Sequence, residues 1–257
     1  MKKIKCDCGH SFIPREQDIF SHRVMCGDNT NPDDVKKLLG KKKVDCLYTD
    51  PPYFVDYQGD NSFLKVINRG NRAQFALEGN KDIKPREFFA SFLKLVPVND
   101  YNTCFIWMAG MHLTEMIDAM TKDADFTWGD NLAWIKNHFV FGRKNFKSMY
   151  EFTVYGWKGR HKFYGENNIS NVFFEDKPQV SDLHPTMKPI SIVAKHIIYG
   201  SQPGMLIYDP FGGSGTTLIA CEQQERTCYM MELVPHFVDV ICKRWEILTN
   251  HKAKKVL

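Results

Sequence analysis

A short apolar run near the N-terminal end of the chain leads into a group of residues that suits one kind of chemistry. Val44–Thr49 is followed directly by Asp50, Pro51, Pro52 and Tyr53. An exocyclic amine on a flat base is a poor nucleophile, because its lone pair is delocalised into the ring. The Asp50 carboxylate and the Pro51 carbonyl are candidate acceptors for its two N–H bonds, which would localise that pair. Stiff prolines and a stacking tyrosine complete the predicted tetrad.

Rate in such a site would come from orientation and electrostatics, without a covalent intermediate. A base inside a duplex is out of reach, so the target would have to be flipped out. The alternative interpretation of Asp-Pro-Pro is a simple turn that ends a strand.

A glycine-rich turn stands far downstream, directly after the apolar run Met205–Tyr208. Its residues are Asp209, Pro210, Phe211, Gly212, Gly213, Ser214 and Gly215. Gly213 and Gly215 permit a sharp turn and the close approach of a ligand. The helix expected from Thr216 then directs its first backbone N–H groups at that ligand. The pattern predicts a cofactor site.

The residues around this turn discriminate among three cofactors. A P-loop needs lysine where Thr216 stands. The dinucleotide fingerprint needs a third glycine where Leu218 stands. What remains is a ligand with an adenosine and no phosphate, which favours S-adenosylmethionine. Asp209 is then a candidate acceptor for the methionine ammonium group, and Glu232, at the end of the next apolar run, for the ribose hydroxyls.

The elements that must position these residues alternate between short β-branched or aromatic runs and helical stretches, as in a parallel α/β sheet. The predicted strands are His22–Cys26, Val44–Thr49, Asn102–Met108, Phe126–Ile135, Glu151–Trp157, Met205–Tyr208 and Thr227–Met231. The predicted helices are Asp33–Leu39, Arg86–Leu95, Leu113–Thr121, Ile190–Ile198, Thr216–Gln223 and Pro235–Thr249. Both motifs then lie at the carboxyl-end rim, where open α/β sheets bind ligands.

The composition is that of an ordinary globular chain. Of 257 residues, 43% are hydrophobic and 25% charged, and the net charge of +4 says little by itself. No apolar run approaches the roughly 20 residues that span a bilayer. The polar start does not resemble a signal peptide, and the scattered cysteines suit reduced thiols, so we expect a cytoplasmic location without membrane attachment.

A cluster of metal-ligand residue types stands near the N-terminus. Its members are Cys6, Cys8, His10, His22 and Cys26. Its Cys-x-Cys spacing is tighter than in structural zinc sites, so we predict no metal.

Together, these motifs resemble the amino-methylating DNA methyltransferases of the β group, in which the catalytic tetrad precedes the cofactor glycines. The resemblance covers nearly the whole chain from His22 onward and is closest to phage and prophage adenine-specific (N6) DNA methylases. It implies a Rossmann-like, S-adenosylmethionine-dependent fold with a mostly parallel seven-stranded sheet, helices on both faces and an antiparallel last strand. Enzymes of this kind often form homodimers, which raises a second copy as a partner besides double-stranded DNA.

The same resemblance nominates further residues. It implies that Asp28 contacts the cofactor adenine, and that Thr186 and Lys188 lie near the methionine carboxylate. It implies that Trp134–Asn137 borders the target-base pocket. We interpret residues 1–257 as one methyltransferase domain, with an extension at 1–21, a catalytic half at 22–136, a target-recognition insertion at 137–183 and a cofactor-binding half at 184–257.

Basic and aromatic residues alternate between Lys136 and Lys162, with Glu151 as the single acid. This mixture suits phosphate contact combined with base stacking. The predicted DNA contacts are Lys136, Asn137, Arg143, Lys144, Lys147, Lys158 and Arg160. A second candidate stretch contains Lys65, Arg69 and Arg72. The alternative is a solvated basic face beside core aromatics.

Asp50 favours adenine N6 as the target, because related cytosine-N4 enzymes more often carry serine at this position. Cytosine N4 is therefore the second interpretation. RNA or protein-glutamine methylation is less favoured, because those enzymes usually carry asparagine there. A non-catalytic DNA-binding module is disfavoured because both motifs are complete.

Overall fold

The computed structural model describes residues 4–5, 11–12, 22–53, 84–139, 145–176 and 188–255. Several residues named above lie outside these ranges, namely Cys6, Cys8, His10, Lys65, Arg69, Arg72, Arg143, Lys144 and Thr186. Two short strands, β1 (Ile4–Lys5) and β2 (Ser11–Phe12), form an antiparallel pair.

The main sheet contains every strand that the sequence predicts and two short additional ones. Its strands are β3 (Arg23–Cys26), β4 (Val44–Thr49), β5 (Val98–Met108), β6 (Thr127–Ile135), β7 (Tyr150–Trp157), β8 (Arg160–His161), β9 (Val172–Phe174), β10 (Leu206–Asp209) and β11 (Thr227–Glu232). Their order is β3-β11-β10-β4-β5-β7-β6-β9, and β8 pairs with the beginning of β5.

The prediction of an antiparallel last strand is wrong. β11, the last strand in the chain, runs parallel to both of its neighbours, β10 and β3. The antiparallel strand is β7, which lies between β5 and β6. The segment 137–183 therefore contributes three strands, β7, β8 and β9, to the main sheet, in addition to any role in target recognition.

Six α-helices cover the two faces of the sheet within the described ranges. They are α1 (Pro32–Leu39), α2 (Pro85–Leu93), α3 (Leu113–Asp118), α4 (Ile190–Gly200), α5 (Thr216–Gln223) and α6 (Pro235–Thr249). A 3₁₀ turn, Gly110–His112, precedes α3, and a π-helical turn, Ala119–Asp123, extends it. None of these helices is long and apolar enough to cross a membrane.

The alternation of side chains along β4 explains why both faces are apolar. Leu47 packs in the core that includes residues of α1, α2 and α3, whereas Cys46 and Tyr48 pack in the core that includes residues of α4, α5 and α6. Successive side chains of a strand point to opposite faces, so a central parallel strand is apolar throughout.

The crossover connections place the functional edge of the sheet. The chain leaves β4 through α2 on one face and reaches β5, whereas it leaves β10 through α5 on the other face and reaches β11. β4 and β10 are neighbours, so the connections diverge between them. In open α/β sheets this divergence opens a crevice at the carboxyl ends of the strands. The tetrad and the glycine turn both lie there.

Candidate active site

The ends of β4 and β10 lie side by side, as the sequence predicts. Cys46 pairs with Ile207 and Leu47 with Tyr208. Beyond this ladder, the Thr49 hydroxyl donates a 2.8 Å hydrogen bond to Oδ1 of Asp209. The tetrad and the glycine turn, separated by most of the chain, therefore share one rim.

The Asp50 carboxylate is held on both of its oxygens. Oδ1 accepts a 2.5 Å hydrogen bond from the Tyr53 hydroxyl, and Oδ2 accepts a 2.7 Å bond from Nζ of Lys188. Nζ of Lys188 also lies 3.3 Å from the Tyr53 hydroxyl. Burial, followed by the charge of Asp50, raises the pKa of Tyr53 well above its ordinary value. Tyr53 therefore stays a protonated phenol and a hydrogen-bond donor.

Lys188 is thus attached to the tetrad. The resemblance implied a place near the methionine carboxylate, which stays a prediction. The ammonium group contacts oxygens of Asp50, Tyr53 and Glu151, and it also lies over the Trp107 ring, 5.0 Å from the ring centroid. Burial lowers the pKa of Lys188, but the two carboxylates outweigh burial and the net shift is upward. Lys188 therefore stays charged.

Glu151 continues this arrangement away from the tetrad. Its Oε2 lies 3.1 Å from Nζ of Lys188, and its Oε1 lies 2.5 Å from Nζ of Lys136. Burial raises the pKa of Glu151, but the two ammonium groups outweigh it and lower the pKa to about 2. We call Asp50, Lys188, Glu151 and Lys136 the rim charge cluster.

Lys136, which the sequence predicts as a DNA contact, is buried in this structure. Its side chain is only 4% exposed, and its ammonium group is paired with Glu151 and lies over the Trp134 ring. Sequence reasoning treated Lys136 as one of a run of surface bases. Trp134 and Lys136 lie beside the tetrad, and the expectation that this segment borders the target-base pocket stays a prediction.

The glycine turn is held in shape by the protein itself. Gly213 and Gly215 both adopt left-handed backbone conformations, with φ of 59° and 84°. The Gly213 N–H donates to Oε2 of Glu232 at 2.7 Å, and Arg244 donates to the Ser214 carbonyl at 2.5 Å. These hydrogen bonds from and to the protein fix the shape of the turn.

Phe211 and Pro210 anchor the first part of the turn. The Phe211 ring packs edge-on against Phe92 of α2, with the ring centroids 5.0 Å apart. The Pro210 carbonyl accepts a 2.7 Å hydrogen bond from the buried Asn29 side chain. Asn29 follows Asp28, the residue expected at the cofactor adenine. Asp28 is exposed, and its Oδ1 accepts from the backbone N–H and the hydroxyl of Thr30.

Asp209 has a structural role that sequence reasoning missed. It is 2% exposed, and its carboxylate accepts hydrogen bonds from the hydroxyls of Thr49 and Thr217 and from the backbone N–H of Phe211. Burial raises its pKa from the ordinary 3.8 to about 6, although these hydrogen bonds act in the opposite direction. The carboxylate fastens β4, β10 and α5 together, and its contact with an ammonium group stays a prediction.

The chemistry of the turn fits S-adenosylmethionine. The carboxylates of Asp209 and Glu232 disfavour phosphate and suit a ligand that carries an ammonium group and hydroxyls. Glu232 accepts from the N–H groups of Gly213 and Val234. A carboxylate has about four lone-pair sites, so Glu232 retains acceptor positions for ribose hydroxyls.

The basic residues predicted to contact DNA are divided between opposite edges of the sheet. Asn137 and Lys147 are exposed at the rim, where the Lys136 N–H pairs with the Met149 carbonyl. Phe146, in the same segment, is 92% exposed. We call residues 137–139 and 145–150 the rim-side surface.

Lys158 and Arg160 lie at the other edge, because β7 runs antiparallel to β5. Arg160 pairs with Tyr101 at the beginning of β5, and the Lys158 ammonium group donates to the Ala124 carbonyl. Ile106, which is level with Thr49, lies five positions beyond Tyr101 along β5, a distance of about 17 Å. Lys158 and Arg160, which the sequence predicts as DNA contacts, therefore lie at a different edge of the sheet from Lys147.

His22 and Cys26, two members of the N-terminal cluster of metal-ligand residue types, lie in the described part of the fold. The His22 Nδ1 accepts from the Cys228 N–H at 2.9 Å, and Nε2 lies 2.8 Å from Oε2 of Glu222. Both ring nitrogens are thus used to join β3 to β11 and α5. In the part of the chain that the structure describes, no cluster of three or more His, Cys, Asp or Glu residues could hold a metal ion.

The fold and this rim define an amino-methyltransferase, and comparison with known proteins identifies the family. Residues 44–243 match the N6/N4 methyltransferase family, described as DNA methylase. This span covers most of the chain, and the chain therefore belongs to that family. Its members act on amino groups of DNA bases and use S-adenosylmethionine as the methyl donor.

Individual relatives are distant but extensive. The chain is 25% identical to the type II methyltransferase M2.MboI of Moraxella bovis, over 80% of this chain and 82% of that protein. It is 26% identical to the type II methyltransferase M.HhaII of Haemophilus parahaemolyticus, over 84% of this chain and 96% of that protein.

Solved structures show the same fold. The complex of M1.HpyAVI with S-adenosylmethionine aligns with a TM-score of 0.64 at 21% identity, over 87% of this chain and 100% of that one. The cytosine-N4-specific PvuII DNA methyltransferase aligns with a TM-score of 0.68 at 14% identity, over 91% and 95% of the two chains. The resemblance to phage enzymes stays a prediction.

Proposed function

We propose that this DNA methyltransferase is site-specific and methylates the N6 amino group of a flipped-out adenine. The observation that supports this most directly is the Asp50 carboxylate. It stands at the rim, next to the glycine turn, with one oxygen bound by Tyr53 and the other by Lys188. A carboxylate in this position suits an adenine amine.

In this proposal, Asp50 accepts one N–H of the target amine and the Pro51 carbonyl accepts the other. Both acceptors strengthen the lone pair of the amine nitrogen and orient it. S-adenosylmethionine, when bound, supplies an electrophilic methyl group on a positively charged sulfur. The nitrogen gains positive charge during the transfer, and the negative charge of Asp50 stabilises it.

Tyr53 has two arrangements in the proposed cycle. In this structure its hydroxyl donates to Asp50 Oδ1, the oxygen that is not bound to Lys188. An incoming amine takes over that acceptor, which releases the tyrosine ring to stack on the base. The surplus proton of the methylated nitrogen passes to Asp50, whose side chain is 29% exposed and can release the proton to water.

We place DNA contact on the rim-side surface. Asn137 and Lys147 supply polar and charged contacts there, and Phe146 supplies an exposed ring beside them. The target base must leave the helix before Asp50 can reach it, and an apolar side chain at the rim suits the space that a flipped base leaves. A homodimer stays a prediction.

The identity of the product tests the proposed target. A library of unmethylated duplexes is incubated with the protein and S-adenosylmethionine, digested to nucleosides and analysed by mass spectrometry. The proposal expects N6-methyladenine. N4-methylcytosine as the sole product would reject adenine as the target. Transfer of a labelled methyl group to RNA but not to DNA would reject the proposed substrate.

A further inference from the structure

The rim charge cluster contains two residues, Glu151 and Lys136, that have no direct part in the proposed chemistry. Asp50 and Lys188 touch each other at 2.7 Å, Lys188 and Glu151 lie 3.1 Å apart, and Glu151 and Lys136 lie 2.5 Å apart. The four groups come from the end of β4, the residue pair before α4, the beginning of β7 and the end of β6. Four distant segments thus build one line of alternating charges.

The charges of the cluster sum to zero, and its side chains are largely buried. The side chains of Lys136 and Lys188 are 4% and 8% exposed, and that of Glu151 is 23% exposed. Two carboxylates and two ammonium groups sum to zero. In surroundings of low dielectric, an uncompensated charge acts strongly on its neighbours.

The positive charge of Lys188 opposes the proposed chemistry unless a second negative charge compensates it. An ammonium group on Asp50 Oδ2 weakens that carboxylate as an acceptor for the target amine. It also opposes the positive charge that develops on the amine nitrogen. Glu151 counters both effects, because it shares the same ammonium group from the other side.

Geometry gives Glu151 a second effect on Lys188. A lysine ammonium group has three N–H donors. Three oxygens surround this one, those of Asp50, Tyr53 and Glu151, at 2.7, 3.3 and 3.1 Å. Without the Glu151 oxygen, the oxygens around the ammonium group are those of the tetrad alone, and its other neighbour is the Trp107 ring.

We propose that Glu151 is a positioning residue for methyl transfer: it holds Lys188 between two carboxylates, so that Asp50 keeps its acceptor strength for the target amine. Lys136 balances the charge of Glu151 from the far side. This inference rests on the role proposed above for Asp50, and it holds for adenine and cytosine targets alike.

Glu151→Gln tests the inference, because glutamine has the same shape and lacks the charge. The cluster then carries one surplus positive charge. We expect kcat to fall on the order of 10- to 100-fold, the loss typical of a misplaced reacting group. The calorimetric Kd for S-adenosylmethionine and the Kd for duplex DNA should change by less than about threefold. Thermal unfolding verifies that the variant is folded.

Glu151→Gln combined with Lys136→Gln provides the decisive comparison. The double variant is again neutral at the cluster, with Asp50 and Lys188 as its charged pair. We expect kcat of the double variant to recover by about tenfold or more relative to Glu151→Gln alone, and its unfolding midpoint to rise. Such non-additivity is the sign of direct coupling. A purely structural role for Glu151 predicts a change in the unfolding midpoint with wild-type kcat in both folded variants, because lost packing alone does not slow the folded protein.

Two results would overturn the inference: wild-type kcat in folded Glu151→Gln, or a double variant that is no faster than the single one. Asp50→Ala, assayed in parallel, separates this failure from a failure of the proposed function. If Asp50→Ala is inactive while Glu151→Gln is fully active, only the positioning role falls. If Asp50→Ala turns over normally, the proposed function falls as well.

Discussion

The hydroxyl of Thr49 donates a 2.8 Å hydrogen bond to the carboxylate of Asp209, a residue 160 positions further along the chain. This bond joins the strand that carries the tetrad to the strand that carries the glycine turn. Thr217, in the first turn of α5, donates to the other oxygen of the same carboxylate at 2.6 Å. Asp209 therefore fixes the relative position of the two motifs on which the proposed chemistry depends.

Asp209 should make the stability of the protein depend on pH. Burial raises its pKa from 3.8 to about 6, so the folded state holds this proton more tightly than the unfolded chain does. The free energy of unfolding should therefore fall by roughly 3 kcal/mol in total as the pH rises from about 4 to about 6, because Asp209 ionises less readily in the folded state. Asp209→Asn cannot ionise, so its unfolding free energy relative to wild type should improve by about that amount over this range. Urea denaturation at a series of pH values measures it.

Thr217→Val provides the companion test. The Thr217 hydrogen bond lowers the pKa of Asp209, so its removal should raise that pKa. The free energy of unfolding should still begin to fall near pH 4, but in Thr217→Val the fall should continue to a higher pH and be larger in total than in the wild type. Parallel pH curves for wild type, Asp209→Asn and Thr217→Val would contradict this account of the carboxylate.

Gly215→Ala should destabilise the protein by more than the cost of placing alanine in a left-handed backbone conformation. Gly215 and Gly204 both have φ of 84°, so alanine at either position costs about 1–2 kcal/mol. A Cβ at Gly204 meets nothing within 4 Å, whereas one at Gly215 would lie 3.0 Å from the buried Ile241. We expect Gly215→Ala to lose additional stability and to weaken S-adenosylmethionine binding.

Gly204→Ala is the matched control for that experiment. It should lose stability in denaturant and retain wild-type cofactor affinity in calorimetry. Equal cofactor affinities for the two variants would mean that the Gly215 turn does not form the binding site.

Lys147 and Arg160 should contribute differently to DNA binding. Both are exposed, but Lys147 lies on the rim-side surface and Arg160 at the opposite edge of the sheet. Lys147→Gln should weaken DNA binding and reduce the slope of log K against log salt by about 0.9, the value for one lost phosphate contact. Arg160→Gln should leave both quantities unchanged. A larger effect from Arg160→Gln than from Lys147→Gln would indicate that DNA binds at the opposite edge of the sheet.

Local pattern was sufficient to predict the elements and the rim. Short apolar runs ending in Asp50 and Asp209 predict strands, and parallel strands bring their carboxyl ends to one edge. β4 is buried on both faces, which is the pattern expected of a central strand in a parallel sheet. These features depend on residues close together in sequence, so a single chain reveals them.

Pairings across long distances in the chain could not be predicted in this way. Lys188 contacts Asp50 although the two residues are 138 positions apart in the chain. No local sequence pattern near either residue predicts this contact. Lys136 and Arg160 belong to one basic stretch, yet the antiparallel course of β7 sends one to the rim and the other to the opposite edge. Glu151 did carry a signal, since it is the single acid among those bases.

Asp50→Ala tests the central claim most directly, through transfer of a labelled methyl group from S-adenosylmethionine to duplex DNA. Asp239→Ala, which removes an exposed carboxyl group on α6, serves as the control and should keep wild-type turnover. We expect Asp50→Ala to lose at least about 100-fold in turnover, because the acceptor for the target amine is gone. Its calorimetric Kd for S-adenosylmethionine should stay within about threefold of wild type. Wild-type turnover in Asp50→Ala would contradict the assignment of this rim as the site of methyl transfer.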